Sequence, residues 1–75
     1  MKIPISAVKY GPKLKRMRQI SGETLRQVET VTGISNAYLS QLETGKVKEP
    51  GFRVMMILLR HYGYRATVFY PYPED

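Results

Sequence analysis

Cysteine is absent from the 75-residue sequence, and histidine occurs once, at position 61. Without cysteine, neither a disulfide bond nor a thiolate metal site can stabilise the fold. Acidic residues are also few, and no pair of them has a helical spacing that would gather two carboxylates at one pocket. They are Glu23, Glu29, Glu43, Glu49, Glu74 and Asp75. We therefore expect no enzymatic activity, no metal and no cofactor, and we expect His61 to be a surface or partner-facing residue.

Long apolar segments are missing as well. The longest apolar run, VMMILL at 54–59, is far too short to span a membrane. The opening segment, MKIPISAVKYGPKLKRMR, lacks the continuous apolar stretch of a signal peptide. These absences predict a cytoplasmic protein with no membrane association.

Positive charge, by contrast, is plentiful. Twelve Lys and Arg residues outweigh six Asp and Glu residues, which gives a net charge of +6 and a pI near 9.8. On a chain long enough for one small domain, such an excess suggests a polyanionic partner. The alternative is that the charge serves solubility alone.

The apolar pattern and the helix-terminating residues predict a mainly all-α fold with four helices. The first opens at Gly11-Pro12 and ends at Gly22, and the second runs from a capping-box sequence at 24–27 to Gly33. The fourth covers Phe52–Tyr62, after a loop at 47–51. The apolar residues that we expect to face the core of these three helices are Leu14, Met17, Ile20, Val28, Val31, Phe52, Met55, Leu58, Leu59 and Tyr62.

The stretch GISNAYLSQLETGK at 33–46 predicts the third helix, from Asn36 to Thr44. Ser35 is a favoured N-cap, and Gly45 lies where a helix ends in a left-handed residue. One side of this helix carries Tyr38, Leu39 and Leu42, and the other carries Asn36, Ala37, Ser40, Gln41 and Thr44. The second side holds small and amide side chains without charge, which suits close approach to a surface that offers hydrogen-bond donors and acceptors.

The chain after Gly63 changes its period. From Tyr64 to Tyr70, one set of side chains alternates with another along the chain, which predicts a short C-terminal β-strand. The first set is Tyr64, Ala66, Val68 and Tyr70, and the second is Arg65, Thr67 and Phe69. We assign residues 1–11 to an N-terminal arm, 12–63 to the helical domain, and 64–75 to a strand and tail that serve dimerisation or partner contact.

Several residues between Leu14 and Pro50 have the spacing of a known family. The matching features are Arg18 in the first helix, Thr24 as the cap of the second, Gly33 in the turn, Leu39 and Leu42 in the third helix, and Glu43-Thr44-Gly45-Lys46 with Pro50 beyond. Together they resemble the lambda-repressor-like helix-turn-helix domain of the Cro or xenobiotic-response-element type, over about half the chain and without a gap.

The resemblance implies that the third helix enters the major groove of double-stranded DNA. By position, its base-contacting residues are Asn36, Ala37, Ser40 and Gln41. Their chemistry agrees, because Asn and Gln can pair with adenine N6 and N7, and an Ala methyl group can pack on a thymine methyl group. The alternative is a polar face exposed only to solvent.

Family position also implies contacts to the DNA backbone, which position a protein without reading sequence. The expected residues are Leu25, Gln27, Tyr38, Thr44, Lys46 and Lys48. Tyr38 is alternatively a core aromatic. Four further cations could add to the positive field or simply form a solvated surface: Lys13, Lys15, Arg16 and Arg26.

Four positions follow from the same comparison. Arg18 and Glu43 occupy positions that form an ion pair between the first and third helices of the family. Glu29 and Thr32 depart from its pattern, since a small residue and an aliphatic residue are usual there. We expect these departures to affect how the second and third helices cross.

The fourth helix and the predicted strand together suggest a homodimer. Met56 and Ile57 need cover beyond the core, and a lone strand needs a partner for its backbone groups. The expected interface residues are Met56, Ile57, Ala66, Val68 and Tyr70, although the strand could instead fold back on its own helices.

The expected function is a sequence-specific transcriptional repressor that binds a palindromic operator as a homodimer. The alternative is an antitoxin or adaptor that binds a protein partner, a toxin or another regulator, through its C-terminal tail and regulates its own operon.

Overall fold

A computed structural model describes residues 10–65, which contain four helices. They are α1 (Tyr10–Ser21), α2 (Leu25–Thr32), α3 (Asn36–Glu43) and α4 (Phe52–Tyr62). The four predicted helices are confirmed, although α1 already begins at Tyr10, within the segment assigned to the N-terminal arm. Within 10–65 there is no strand, and residues 66–70 of the predicted strand lie outside the described part. None of these helices has the length and hydropathy needed to cross a membrane.

Side-chain caps determine where α2 and α3 begin. The Thr24 hydroxyl accepts a hydrogen bond from the Gln27 N–H at 3.1 Å, and the Gln27 Oε1 accepts one from the Thr24 N–H at 2.8 Å. This reciprocal pair is the predicted capping box. The Ser35 hydroxyl accepts from the Tyr38 N–H at 3.2 Å. Between the two helices, Gly33 adopts a φ of 79°, a left-handed conformation that favours glycine.

One apolar cluster holds the four helices together. α1 packs against α3 and α4, and α2 packs against the same two helices. Since each helix turns an apolar stripe inwards, burial of these side chains is the main favourable term in the fold. The buried residues are Tyr10, Leu14, Met17, Val28, Leu39, Leu42, Met55, Leu58 and Leu59.

Three residues expected in the core are instead exposed: Ile20 by 64%, Val31 by 67% and Phe52 by 65%. In α1 the inward stripe continues from Leu14 through Arg18, whose side chain pairs with α3, so Ile20 falls on another side. In α2, Val28 is the buried residue, and Val31 lies to one side of it around the helix. Phe52 is the first residue of α4, and the core starts one turn later.

The start of α1 lies very close to the end of α3. A Cβ atom placed on Gly11 would lie 2.6 Å from the Leu42 carbonyl oxygen and 2.8 Å from that of Glu43. Any side chain at this position would therefore push the two helices apart. The absence of a side chain at Gly11 allows the start of α1 to pack directly against the end of α3.

Candidate nucleic-acid interface

The outer side of α3 carries the residues expected to contact bases. Ala37 and Gln41 are exposed, and Asn36 and Ser40 are half-buried. Leu39 and Leu42 are 2% and 1% exposed, so they hold the opposite side of the helix in the core. The outer side is thus a surface of amide, hydroxyl and methyl groups. The two buried leucines fix the rotation of α3 about its own axis, so this surface faces outwards.

The first turn of α2, which precedes α3 in the sequence, offers backbone hydrogen-bond donors. Leu25 is the first residue of α2, and N–H groups in the first turn of a helix have no partner within it. Gln27 is exposed, and its Oε1 is engaged in the capping box, so its side-chain NH₂ remains as the outward donor.

The loop that follows α3 presents two lysines. Lys46 and Lys48 are exposed, whereas Val47 between them packs against the core. The Val47 N–H donates to the Gln41 carbonyl oxygen at 3.2 Å, which ties the loop to the end of α3. Thr44 is less suited to phosphate, because its N–H and its hydroxyl both donate to the Ser40 carbonyl oxygen.

Tyr38 and four basic residues of α1 and α2 are the other candidates for contact with DNA. Tyr38 is half-buried and packs against the core, which limits how far it projects. Exposed basic side chains, Lys13, Lys15, Arg16 and Arg26, lie on α1 and α2. They contribute a positive field at longer range.

Arg18 and Glu43 form a two-point ion pair between α1 and α3. Arg18 Nε and Nη2 donate to the two carboxylate oxygens of Glu43 at 2.7 and 2.9 Å. Arg18 Nη1 also donates to the Glu23 carbonyl oxygen at 2.9 Å. The hydrogen bonds to Glu43 raise the pKa of Arg18 above its ordinary value. Burial, followed by the charge of Glu43, raises the pKa of Tyr62 to about 12.

A family model described as a helix-turn-helix domain matches residues 9–67, more than half of the chain. The chain belongs to this helix-turn-helix family. The match confirms the resemblance drawn from the sequence and is consistent with a DNA-binding family of the Cro and lambda-repressor type. No curated protein and no solved structure matches the chain significantly.

The helix-turn-helix domain contains a contact that sequence reasoning missed. Asn36 Nδ2 donates to Glu29 Oε1 at 2.6 Å, joining the start of α3 to the middle of α2. The departure of Glu29 from the family pattern was the available signal, but it gave no indication of a partner seven residues away. Thr32, the other departure, stabilises the turn, since its hydroxyl donates to the Val28 carbonyl oxygen and accepts from the Ile34 N–H.

His61 is neither fully exposed nor unpaired, which corrects the surface or partner-facing role expected for it. Its Nε2 lies 2.9 Å from each carboxylate oxygen of Glu23, and its side chain is 16% exposed. This contact joins α4 to the turn before α2. The pKa of Glu23 lies below its ordinary value because of a hydrogen bond from Ser21 and, secondarily, the interaction with His61.

The residues expected at the dimer interface are only partly described. On α4 of the helix-turn-helix domain, Met56 is 36% exposed and Ile57 is half-buried. Ala66, Val68 and Tyr70 lie outside the described residues. Within 10–65, no group of His, Asp and Glu side chains is arranged to hold a metal ion.

Proposed function

We propose that this helix-turn-helix protein is a sequence-specific transcriptional repressor that inserts α3 into the major groove of a palindromic operator. The observation that carries the proposal is the outer side of α3, which is uncharged and accessible while lysines lie just beyond its end. A face of this kind can read base edges, and the neighbouring cations can bind phosphates.

Each predicted base contact has a distinct chemistry. Gln41 and Asn36 carry an amide that can bind adenine N6 and N7 together, and the Ala37 methyl group can pack on thymine. The Ser40 hydroxyl can donate or accept. A face with these groups discriminates among base pairs, whereas contacts to phosphates alone would bind all of them alike.

Two elements are proposed to hold the DNA backbone on either side of α3. The first turn of α2 would supply the Leu25 N–H and the Gln27 amide, and the loop after α3 would supply Lys46 and Lys48. Tyr38 and Thr44 would contribute at the edge of this contact, Thr44 only after its hydroxyl turns away from α3.

We further propose that the protein acts in the cytoplasm as a homodimer. A two-fold axis would place two copies of α3 about 34 Å apart, one turn of DNA, which matches a palindrome. Two exposed apolar side chains one turn apart on α4, Phe52 at 65% and Met56 at 36%, support this arrangement, since exposed apolar surface favours a partner.

The test begins with selection of bound sequences from a random DNA pool at two salt concentrations. We expect an inverted repeat from the wild-type protein. Gln41→Ala should relax the preference at one base pair of each half-site by about 1 to 3 kcal/mol. Lys46→Ala should weaken binding to every sequence alike and reduce the salt slope by about one.

The contrast between these two exposed positions is the control, because both substitutions shorten a long polar side chain at the same end of α3. A Gln41→Ala protein that selects the wild-type motif with wild-type affinity would show that this side of α3 does not read DNA. Failure of the wild-type protein to select any motif would reject sequence-specific binding altogether.

A further inference from the structure

The hydrogen bond between Glu29 and Asn36 lies at the edge of the proposed reading surface. Both residues are half-buried, and the 2.6 Å distance is that of a short, charge-assisted bond. Asn36 is the first residue of α3, where the positive end of the helix dipole favours a neighbouring carboxylate. The contact is therefore a defined part of the surface.

A carboxylate constrains an amide more than a neutral partner would. An ionised Glu side chain only accepts hydrogen bonds, whereas an Asn amide has an NH₂ group on one side and an oxygen on the other. Rotating the Asn36 amide by half a turn would place its oxygen against the carboxylate and lose the bond. Glu29 consequently fixes the NH₂ group towards α2 and leaves Oδ1 and one N–H for another partner.

We propose that Glu29 is a specificity-determining positioning residue, which orients Asn36 to select a base bearing an amino group in the major groove. Adenine offers N6–H to Oδ1 and N7 to the remaining N–H, so it satisfies both groups. Cytosine offers only its N4–H. Guanine O6 and thymine O4 are acceptors and would face Oδ1. The proposal rests on the proposed function, because it requires α3 in the groove.

The charge of Glu29 gives no advantage in affinity. A carboxylate near the DNA repels phosphates, so its removal should strengthen binding to unrelated sequences. Orientation of Asn36 is a benefit that offsets this cost. Removal of Glu29 should therefore raise the affinity for unrelated DNA and lower the selectivity for the operator. A residue that served only to support the fold would not produce that combination.

The experiment measures affinity for the selected operator and for the three other base pairs at the position assigned to Asn36. The variants are Glu29→Ala, Asn36→Ala, the double variant, and Glu49→Ala as a control that removes an exposed carboxylate from the loop after α3. Thermal unfolding of each variant establishes that it is folded.

We expect wild type and Glu49→Ala to prefer adenine over guanine and thymine by about 5- to 150-fold. Glu29→Ala and Asn36→Ala should each reduce this preference to about threefold or less, and the double variant should resemble Asn36→Ala. Glu29→Ala should also bind unrelated DNA more tightly than wild type does, as should Glu49→Ala.

The outcomes separate this proposal from the function on which it rests. If Glu29→Ala retains the adenine preference while Asn36→Ala loses it, α3 reads DNA but Glu29 does not orient Asn36, and the inference is wrong. If the preference survives in Asn36→Ala, the assignment of Asn36 to a base is wrong, and the inference falls with it.

A second measurement tests the contact without DNA. In the free protein, the Asn36 side-chain NH₂ should show a downfield proton signal in NMR, with exchange slowed about tenfold relative to Glu29→Ala. Glu49→Ala should leave the signal unchanged. An Asn36 signal that is identical in wild type and Glu29→Ala would overturn the proposal even in a variant that binds DNA poorly.

Discussion

At the scale of single residues, Gly11 leaves less room for a side chain than any other glycine of residues 10–65. Its Cα faces the carbonyl oxygens of Leu42 and Glu43, and an added Cβ would lie 2.6 Å from the first. Alanine usually stabilises a helix relative to glycine, but here the clash dominates. We predict that Gly11→Ala lowers the free energy of unfolding by about 1 to 3 kcal/mol, measured by urea unfolding.

Gly51 provides a matched control for that prediction. Its φ is −59°, and nothing lies within 4 Å of the position that a Cβ would occupy. The loss of a glycine N-cap and the reduced entropy of the unfolded chain act in opposite directions, so Gly51→Ala should change stability by less than about 1 kcal/mol. Equal effects of the two substitutions would mean that α1 and α3 do not approach so closely.

At the scale of elements, the Arg18–Glu43 pair connects α1 to the end of the proposed recognition helix. The side chains are 16% and 7% exposed, so water screens the charges only partly. Removing one partner leaves the other poorly solvated, and we predict that Arg18→Met or Glu43→Gln costs about 3 kcal/mol of unfolding free energy. An exposed pair would contribute only about 0 to 1 kcal/mol.

A double-mutant cycle in urea isolates the interaction. The double variant should lose less stability than the two single losses added together, with a coupling of about 1 to 3 kcal/mol. Arg16→Met, on the exposed side of α1, should change stability by less than about 0.5 kcal/mol. A coupling of zero would show that the hydrogen bonds between Arg18 and Glu43 do not persist in solution.

How much of these elements could be predicted depends on how local their determinants are. Thr24 and Ser35 cap helices through neighbouring residues in the chain, so the starts of α2 and α3 could be predicted from sequence. Glu29 and His61 bond to partners 7 and 38 residues away, which no local pattern specifies.

Which residues of a helix are exposed also depends on how the helix packs against distant parts of the chain. The periodicity that correctly predicted burial of Leu58 and Leu59 also predicted burial of Phe52, but a helix can extend beyond the core it packs on. Ile20 shows the same effect in α1, where Arg18 occupies the inward direction at the last turn. The outer side of α3 could be predicted because a helix of eight residues with two buried leucines allows one rotation only.

At the scale of the whole molecule, residues 10–65 offer two surfaces that bear on the role of the C-terminal segment. The exposed side of α4 around Met56 would suit a second copy of the chain. An open apolar groove of about 340 Å³ would instead suit a tail that folds back on its own domain. The groove is lined by Pro12, Lys13, Arg16, Met17, Ile20 and Tyr64. The first arrangement gives a dimer, and the second leaves a monomer.

We predict that truncation after Arg65 converts a dimer into a monomer. This cut preserves Tyr64, whose N–H donates to the Leu59 carbonyl oxygen at 2.8 Å and completes the end of α4. Sedimentation should show the mass of a single shortened chain. Affinity for a full operator should fall by about 100-fold or more because the second half-site no longer binds within one complex, whereas affinity for a half-site should not change.

Point variants separate the contribution of α4 from that of the tail. Met56→Ser should weaken the dimer, and Val31→Ser, which removes an exposed apolar side chain from α2, should not. If the truncated protein sediments as a dimer and keeps its affinity for the full operator, the tail is not the interface. Dimerisation that survives truncation but is lost in Met56→Ser would place the two-fold axis at α4 alone, and the C-terminal segment would then be available for the groove beside Ile20.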